Sequence, residues 1–117
     1  MDKQLITTGN AITDAKKGWF VGSFFDQKLG FRFSDDVEIK WGIHKKGEER
    51  PEWVTGEFRT TVSILISGKF EMIFNNKSII LTKQGDFVMW GKGTDHKWKC
   101  LEDTTILTVR WPSIKQY

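Results

Sequence analysis

Short runs of alternating apolar and polar residues, each closed by a turn-forming residue, fill the chain from residue 37 onward. Val37, Ile39, Trp41 and Ile43 alternate with Glu38, Lys40, Gly42 and His44, the period of two that marks a half-buried strand. By that alternation the apolar set faces a core and His44 points the other way, as an external or structural histidine. Gly47 and Pro51 mark a loop. Residues 58–66 are rich in β-branched side chains and stop at the turn signal Ser67-Gly68. Phe70, Met72 and Phe74 alternate again up to Asn75-Asn76, a hairpin turn, since asparagine tolerates left-handed backbone angles. Residues 79–81, 87–90, 97–100 and 104–111 supply further short strands. Short strands at this spacing predict an all-β antiparallel sandwich or barrel.

Length and composition narrow the classes of function. A chain of 117 residues is enough for one domain with one core, and nine Phe and six Trp supply its apolar side chains. The domain is expected to span residues 1–117. Residues 1–30 are its least defined part, an N-terminal extension covering the barrel, with 19–25 as a strand over one end and 14–17 as a helical turn. The single cysteine, Cys100, excludes an internal disulfide and suits a reducing compartment. There is no apolar run long enough for a membrane span or a secretory signal, so a cytoplasmic protein with no membrane partner is expected. Basic residues exceed acidic ones by three but are scattered among them. That pattern is a solvated surface, not the dense stripe of a nucleic-acid interface, and it favours a small anionic ligand over a polymer.

The stretch GDFVMWGKGTDHKWKC, residues 85–100, together with Gly68, carries a more specific pattern. Gly85, Gly93 and His96 match the second cupin motif, G-x5-P-x-G-x2-H-x3-N. Gly91 stands at the proline position and Cys100 at the asparagine position. Over residues 37–111 the chain therefore resembles a single-domain cupin, and the ending TVRWPS is similar to that of small uncharacterised cupins. The resemblance implies a double-stranded β-helix, the cupin jelly-roll barrel. The first motif, H-x-H-x3-4-E-x6-G, ends at Gly68. Counting back puts its glutamate position on Thr61 and its histidine positions on Thr55 and Glu57, or on Val54 and Gly56. Three of the four metal ligands usual in the family are absent. His96 is carried over, and Glu57 could substitute as an oxygen ligand, with His44 recruited as a third group.

Within that barrel His96 is expected on an inward-facing strand with Trp98 and Cys100. A histidine there can hydrogen-bond a ligand or move a proton, because its ordinary pKa lies near neutrality. Cys100 sits four residues along the strand, about 13 Å from His96, too far for a nucleophilic dyad. Glu57, Arg59, Thr61 and Ser63 form the polar face of their strand by periodicity and the barrel interior by the motif count. Both hold if another subunit buries Val62, Ile64 and Ile66, which predicts a homodimer. Trp41, Trp90 and Trp98 lie in strands, and an aromatic floor such as Trp41 can stack on a planar ligand. No glycosidase-like acid pair is evident, and the only tyrosine is Tyr117, unlike the tyrosine-dependent sugar-nucleotide epimerases of this fold. The expectation is metal-independent binding of a small polar or anionic molecule, without a cofactor. His96, Trp98, Arg59, Thr61, Ser63, Glu57 and Trp41 would line the site. One alternative is a metal-dependent enzyme using His96, Glu57 and His44. A second is a structural protein whose barrel is filled by its own side chains.

Overall fold

The computed structural model describes residues 6–114; Tyr117 and residues 1–5 lie outside them. Seven strands are found among the described residues: β1 (Trp19–Val21), β2 (Glu38–His44), β3 (Glu49–Val54), β4 (Thr60–Phe74), β5 (Lys77–Leu81), β6 (Phe87–Trp90) and β7 (His96–Trp111). All pairings are antiparallel, in the order β1-β2-β7-β4-β5, with β3 also on β7 and β6 also on β4. Two long strands organise the rest. The first half of β4 pairs β6 and the second half of β7, whereas its second half pairs β5 and the first half of β7. The result is an all-β jelly roll whose two sheets share β4 and β7.

The bend that lets one strand serve both sheets is at Gly68. The β4–β7 register shifts between Leu65 and Phe70, and Gly68 has φ of 102°. A Cβ there would collide with the Asp103 carbonyl and with Thr104, so the close approach of the two strands also requires glycine. Thr104 Oγ1 is the pin opposite, accepting from Lys69 N at 3.1 Å and donating to Glu102 O at 2.7 Å. Ser67-Gly68 is thus a bend within β4 and not the end of a strand. Residues 97–100 and 104–111 likewise belong to one strand, β7. Pro51, expected in a loop, lies inside β3. That strand pairs only β7, and its register slips between Arg50 and Val54, an edge position where a missing N–H is tolerated. The Asn75-Asn76 turn joins Phe74 to its partner Lys77 as expected.

Burial along β2 is the reverse of the alternation rule. Glu38 is 0% exposed while Ile43 is 54% exposed. Glu38, Lys40, Gly42 and His44 face the interior, and Ile39, Trp41 and Ile43 face out. The interior on this side is polar, because it receives Arg59 and Arg110, which pair with Glu38. The hydrophobic core lies at the other end: Leu65, Phe70, Met72, Leu81, Trp90, Cys100 and Ile106 are buried together. Full burial of a side chain such as Leu65 or Leu81 contributes about 2 kcal/mol, so this end supplies most of the hydrophobic stabilisation.

The N-terminal segment adds β1 to the edge of β2, with Trp19 opposite Lys40. Residues 14–17 form turns and a bridge, not a helical turn. A 3₁₀ segment, Gln27–Arg32, follows; Asp26 caps it by accepting from Lys28 N at 2.8 Å. No helix among the described residues is long and apolar enough to cross a membrane.

Candidate functional site

The interior faces of β2, β4 and β7 converge with β3, β6 and Trp19 of β1 on a cavity of about 370 Å³. His96, Trp98, Arg59, Thr61, Ser63 and Glu57 all line it. Trp41 does not. It stands opposite Leu107 on the outer face, for the reason that inverts β2 as a whole. His44, expected outside, is inside for the same reason. Its ring lies 4.5 Å from Trp98 and 5.5 Å from Phe70, and its Nδ1 is 3.1 Å from Glu48 Oε1.

One wall is an ion-pair lattice. Arg59 lays its planar fork on Glu57, with Nε and Nη2 each 2.6 Å from a different carboxylate oxygen. Its Nη1 reaches Glu38 Oε1 at 2.9 Å, and Arg110 Nε donates to that same oxygen. Glu38 Oε2 accepts from Ser113 Oγ at 2.9 Å and Ile114 N at 2.8 Å. Glu38 thereby ties β2, the entry to β4, β7 and the segment after β7 together, and each contact offsets part of its desolvation. The Arg59 guanidinium, through hydrogen bonds first, holds the Glu57 carboxyl at about 2. Arg59 therefore faces a carboxylate of its own chain. Beside it, Ser63 Oγ and Thr108 Oγ1 share a hydrogen bond of 3.0 Å.

The opposite wall is aromatic. Phe70 and Trp98 stack at 5.1 Å, Trp90 and His96 meet tilted at 4.7 Å, and Phe74 meets Trp90 edge-on at 5.7 Å. Two polar atoms in this wall are buried without a hydrogen-bond partner: Nε1 of Trp90 and Nδ1 of His96. Trp90 as a residue is only 8% exposed. A buried, unpaired donor costs about 1–3 kcal/mol, and both atoms are closed off from solvent within the packed aromatic wall. Burial lowers the His96 pKa, with the Thr94 backbone and Glu57 acting against it, and burial also lowers that of His44. In both, burial favours the neutral ring, and a neutral imidazole can donate or accept.

The residues present do not fit a metal. Both Glu57 oxygens are held by Arg59, and His44 Nδ1 is turned to Glu48. The described residues contain no cluster of three or more His, Cys, Asp or Glu side chains able to hold an ion. Cys100 Sγ is buried, 2.8 Å from Glu102 O, and takes no part in the cavity wall.

Sequence reasoning missed Trp19, Arg50, Thr108 and Arg110, which also line the cavity. For Thr108 and Arg110 a signal exists. They alternate with Leu107, Val109 and Trp111, so once the polar face is known to be inside, both must be. Trp19 and Arg50 reach the cavity only through the pairing of β1 and β3.

No protein-family model matches the chain, and no curated protein does. Solved structures do. KdgF from Halomonas sp. is 18% identical, covering 69% of this chain and 74% of its own, at a TM-score of 0.62. An RmlC-like cupin from Shewanella frigidimarina NCIMB 400 is 20% identical, covering 69% and 70%, at 0.61. An RmlC-like cupin from Desulfovibrio desulfuricans is 19% identical, covering 69% and 76%, at 0.60. Likeness at these identities establishes the fold: the chain is an all-β jelly roll of the cupin type.

Proposed function

We propose that this cupin-fold chain binds a small polar or anionic molecule in its cavity, without a metal and without catalysing a reaction. The observation that carries the reading is a cavity of about 370 Å³ lined on one side by the Arg59–Glu57 pair, Thr61, Ser63 and Thr108 and on the other by Trp90, His96 and Trp98. The volume lies at the small end of the range for small-molecule sites, and it speaks against a barrel filled by its own side chains. Against a metal-dependent enzyme stands the Glu57 carboxylate, which Arg59 already holds at both oxygens.

The outer face supports a homodimer in the same proposal. Ile39, Trp41 and Ile43 of β2 register with Val109, Leu107 and Thr105 of β7, which register in turn with Val62 and Ile64 of β4 and, beyond them, Met89 and Phe87 of β6. No charged residue interrupts this face, and Phe87 and Met89 are 62% and 51% exposed. An uncharged sheet face has no charge pattern to match to a different partner. A second copy of the same face, related by a twofold axis, suits it best.

The test is His96→Ala. A side chain that lines a cavity with an unpaired nitrogen is not holding a dense core, so unfolding stability should fall by less than about 1 kcal/mol while any small molecule retained by the wild type is lost. A fall of about 3 kcal/mol, with no molecule retained by the wild type, would favour a structural role for the barrel.

A further inference from the structure

Lys40 is the cation that the ion-pair lattice leaves over. It sits on the interior face of β2, between Trp19 of β1 and Thr108 of β7 in register. Its ammonium stands 5.5 Å from the centre of the Trp19 ring. The guanidinium of Arg110 covers the same ring at 4.0 Å. Gly18, with φ of 91°, brings its backbone against the Lys40 stem: a Cβ there would lie 3.1 Å from Cε and 3.2 Å from Cγ. The lysine is thus packed in place and does not roam the surface.

No carboxylate among the described residues pairs with Lys40 or with Arg50. The nearby acids are the fully buried Glu38, committed to Arg59 and Arg110, and Glu57, which lines the cavity from the connection before β4 and is committed to Arg59. Burial lowers the Lys40 pKa first, and the charges of Arg110 and then Arg50 lower it further. Arg50 and Arg110 also act on His96 across the cavity. Lys40 and Arg110 lie against one aromatic ring, the charge of Arg110 balanced by Glu38, while Arg50 is exposed at the rim. Lys40 is left partly out of water with no carboxylate beside it, which destabilises the empty protein. An anion seated there supplies the missing counter-charge.

We infer that Arg50 and Arg110, which line the cavity with Trp19, and Lys40, which lies against the same ring and lines a neighbouring depression that shares His44, form an oxyanion seat, and that the ligand carries a carboxylate or phosphate group. This rests on the reading that the cavity takes a small molecule. It adds an orientation: the acidic end lies against Trp19, and the body runs inward to Trp98, Trp90 and His96. Arg59, whose fork is closed on Glu57, is not the anion's partner.

Three probes at constant ionic strength test the seat: inorganic phosphate, benzoate and its neutral analogue benzamide, followed through the indole N–H resonances of Trp19 and Trp90. Benzoate should shift both resonances saturably. Phosphate should shift that of Trp19 and compete with benzoate. Benzamide should bind at least tenfold more weakly than benzoate. Arg50→Gln alters an exposed side chain, and Lys40→Met keeps the packed stem, so both variants should fold. Each should weaken benzoate at least fivefold and leave benzamide unchanged. Equal binding of benzoate and benzamide by the wild type, with no phosphate effect, would remove the seat and keep the cavity. Failure of all three probes to shift either indole would overturn both readings. A further readout needs no ligand: Lys40→Met should raise the melting temperature of the empty protein at low salt, and that rise should shrink as salt or phosphate is added. A melting temperature lowered by the substitution would show that Lys40 has a stabilising partner.

Discussion

Replacing Arg59 by methionine should cost about 3 kcal/mol of stability near neutral pH, and the cost should shrink in acid. Arg59 and Glu38 are among the most buried charges of the molecule, and removing one partner of a buried pair costs about 3–5 kcal/mol because the other is left uncompensated. Glu38 retains Arg110, Ser113 and Ile114, which sets the expectation at the lower end. Part of the loss belongs to Glu57. Its carboxyl is held at about 2 against an ordinary 4.5, and at about 1.4 kcal/mol per unit the bound is about 3 kcal/mol. Glu57 keeps some contact with water, and screening reduces its share to about 1–2 kcal/mol. A depressed carboxylate stabilises the fold above pH 4.5, and that stabilisation fades as pH falls toward 2. Urea unfolding of wild type, Arg59→Met and Glu57→Gln across this window measures it. The wild type should lose its margin over both variants on the acid side, and Glu57→Gln isolates the smaller share. A cost for Arg59→Met below about 0.5 kcal/mol, or one independent of pH down to 2, would refute the view that the lattice is a stabilising wall.

The other expectations are quickly checked. Gly68→Ala should cost more than about 3 kcal/mol or prevent folding, because the added Cβ meets the Asp103 backbone, whereas Gly85→Ala, also at positive φ but with open space around it, should cost about 1 kcal/mol; denaturant unfolding of the two separates strain from collision. If the proposed homodimer forms through the outer apolar face, Ile64→Glu or Phe87→Glu should give monomer or aggregate in light scattering where the wild type is dimeric, and a dimer of unchanged stability would mean that this face is not the interface. Trp41→Phe, on that outer face, should leave benzoate binding within twofold of wild type, while Trp98→Ala should weaken it at least tenfold; equal effects in an indole-resonance titration would contradict the inward and outward assignments.

The fold was legible from glycine-punctuated alternation, and the direction of each strand from the motif count more than from hydrophobicity. On β4, counting back from Gly68 put Thr61 and Ser63 inside, where they are buried. On β2, with no motif to anchor it, apolar residues were assigned to the core and the strand came out reversed. The rule that apolar means inward assumes that water is the only alternative to the core. Here the interior is a polar site, and the apolar face is turned to the outside of the sheet, where a partner can cover it. That single inversion misplaced both Trp41 and His44. The fusion of two predicted strands into β7, and the passage of β4 through Gly68, were hidden because a bend and a turn carry the same glycine signal. The site's cations come from β2, β3, the residue before β4 and β7, and meet only through sheet register, which no spacing in the chain reveals.

The central claim is that the cavity holds an organic molecule and not a metal ion. Native mass spectrometry of the freshly purified protein, with elemental analysis of the same sample, addresses it most directly. The expected result is a dimer carrying an acidic organic adduct that is lost on denaturation and lost in His96→Ala, with far less than one equivalent of any divalent transition metal. A divalent metal near one equivalent per chain, retained by the wild type and lost in His96→Ala, would contradict it.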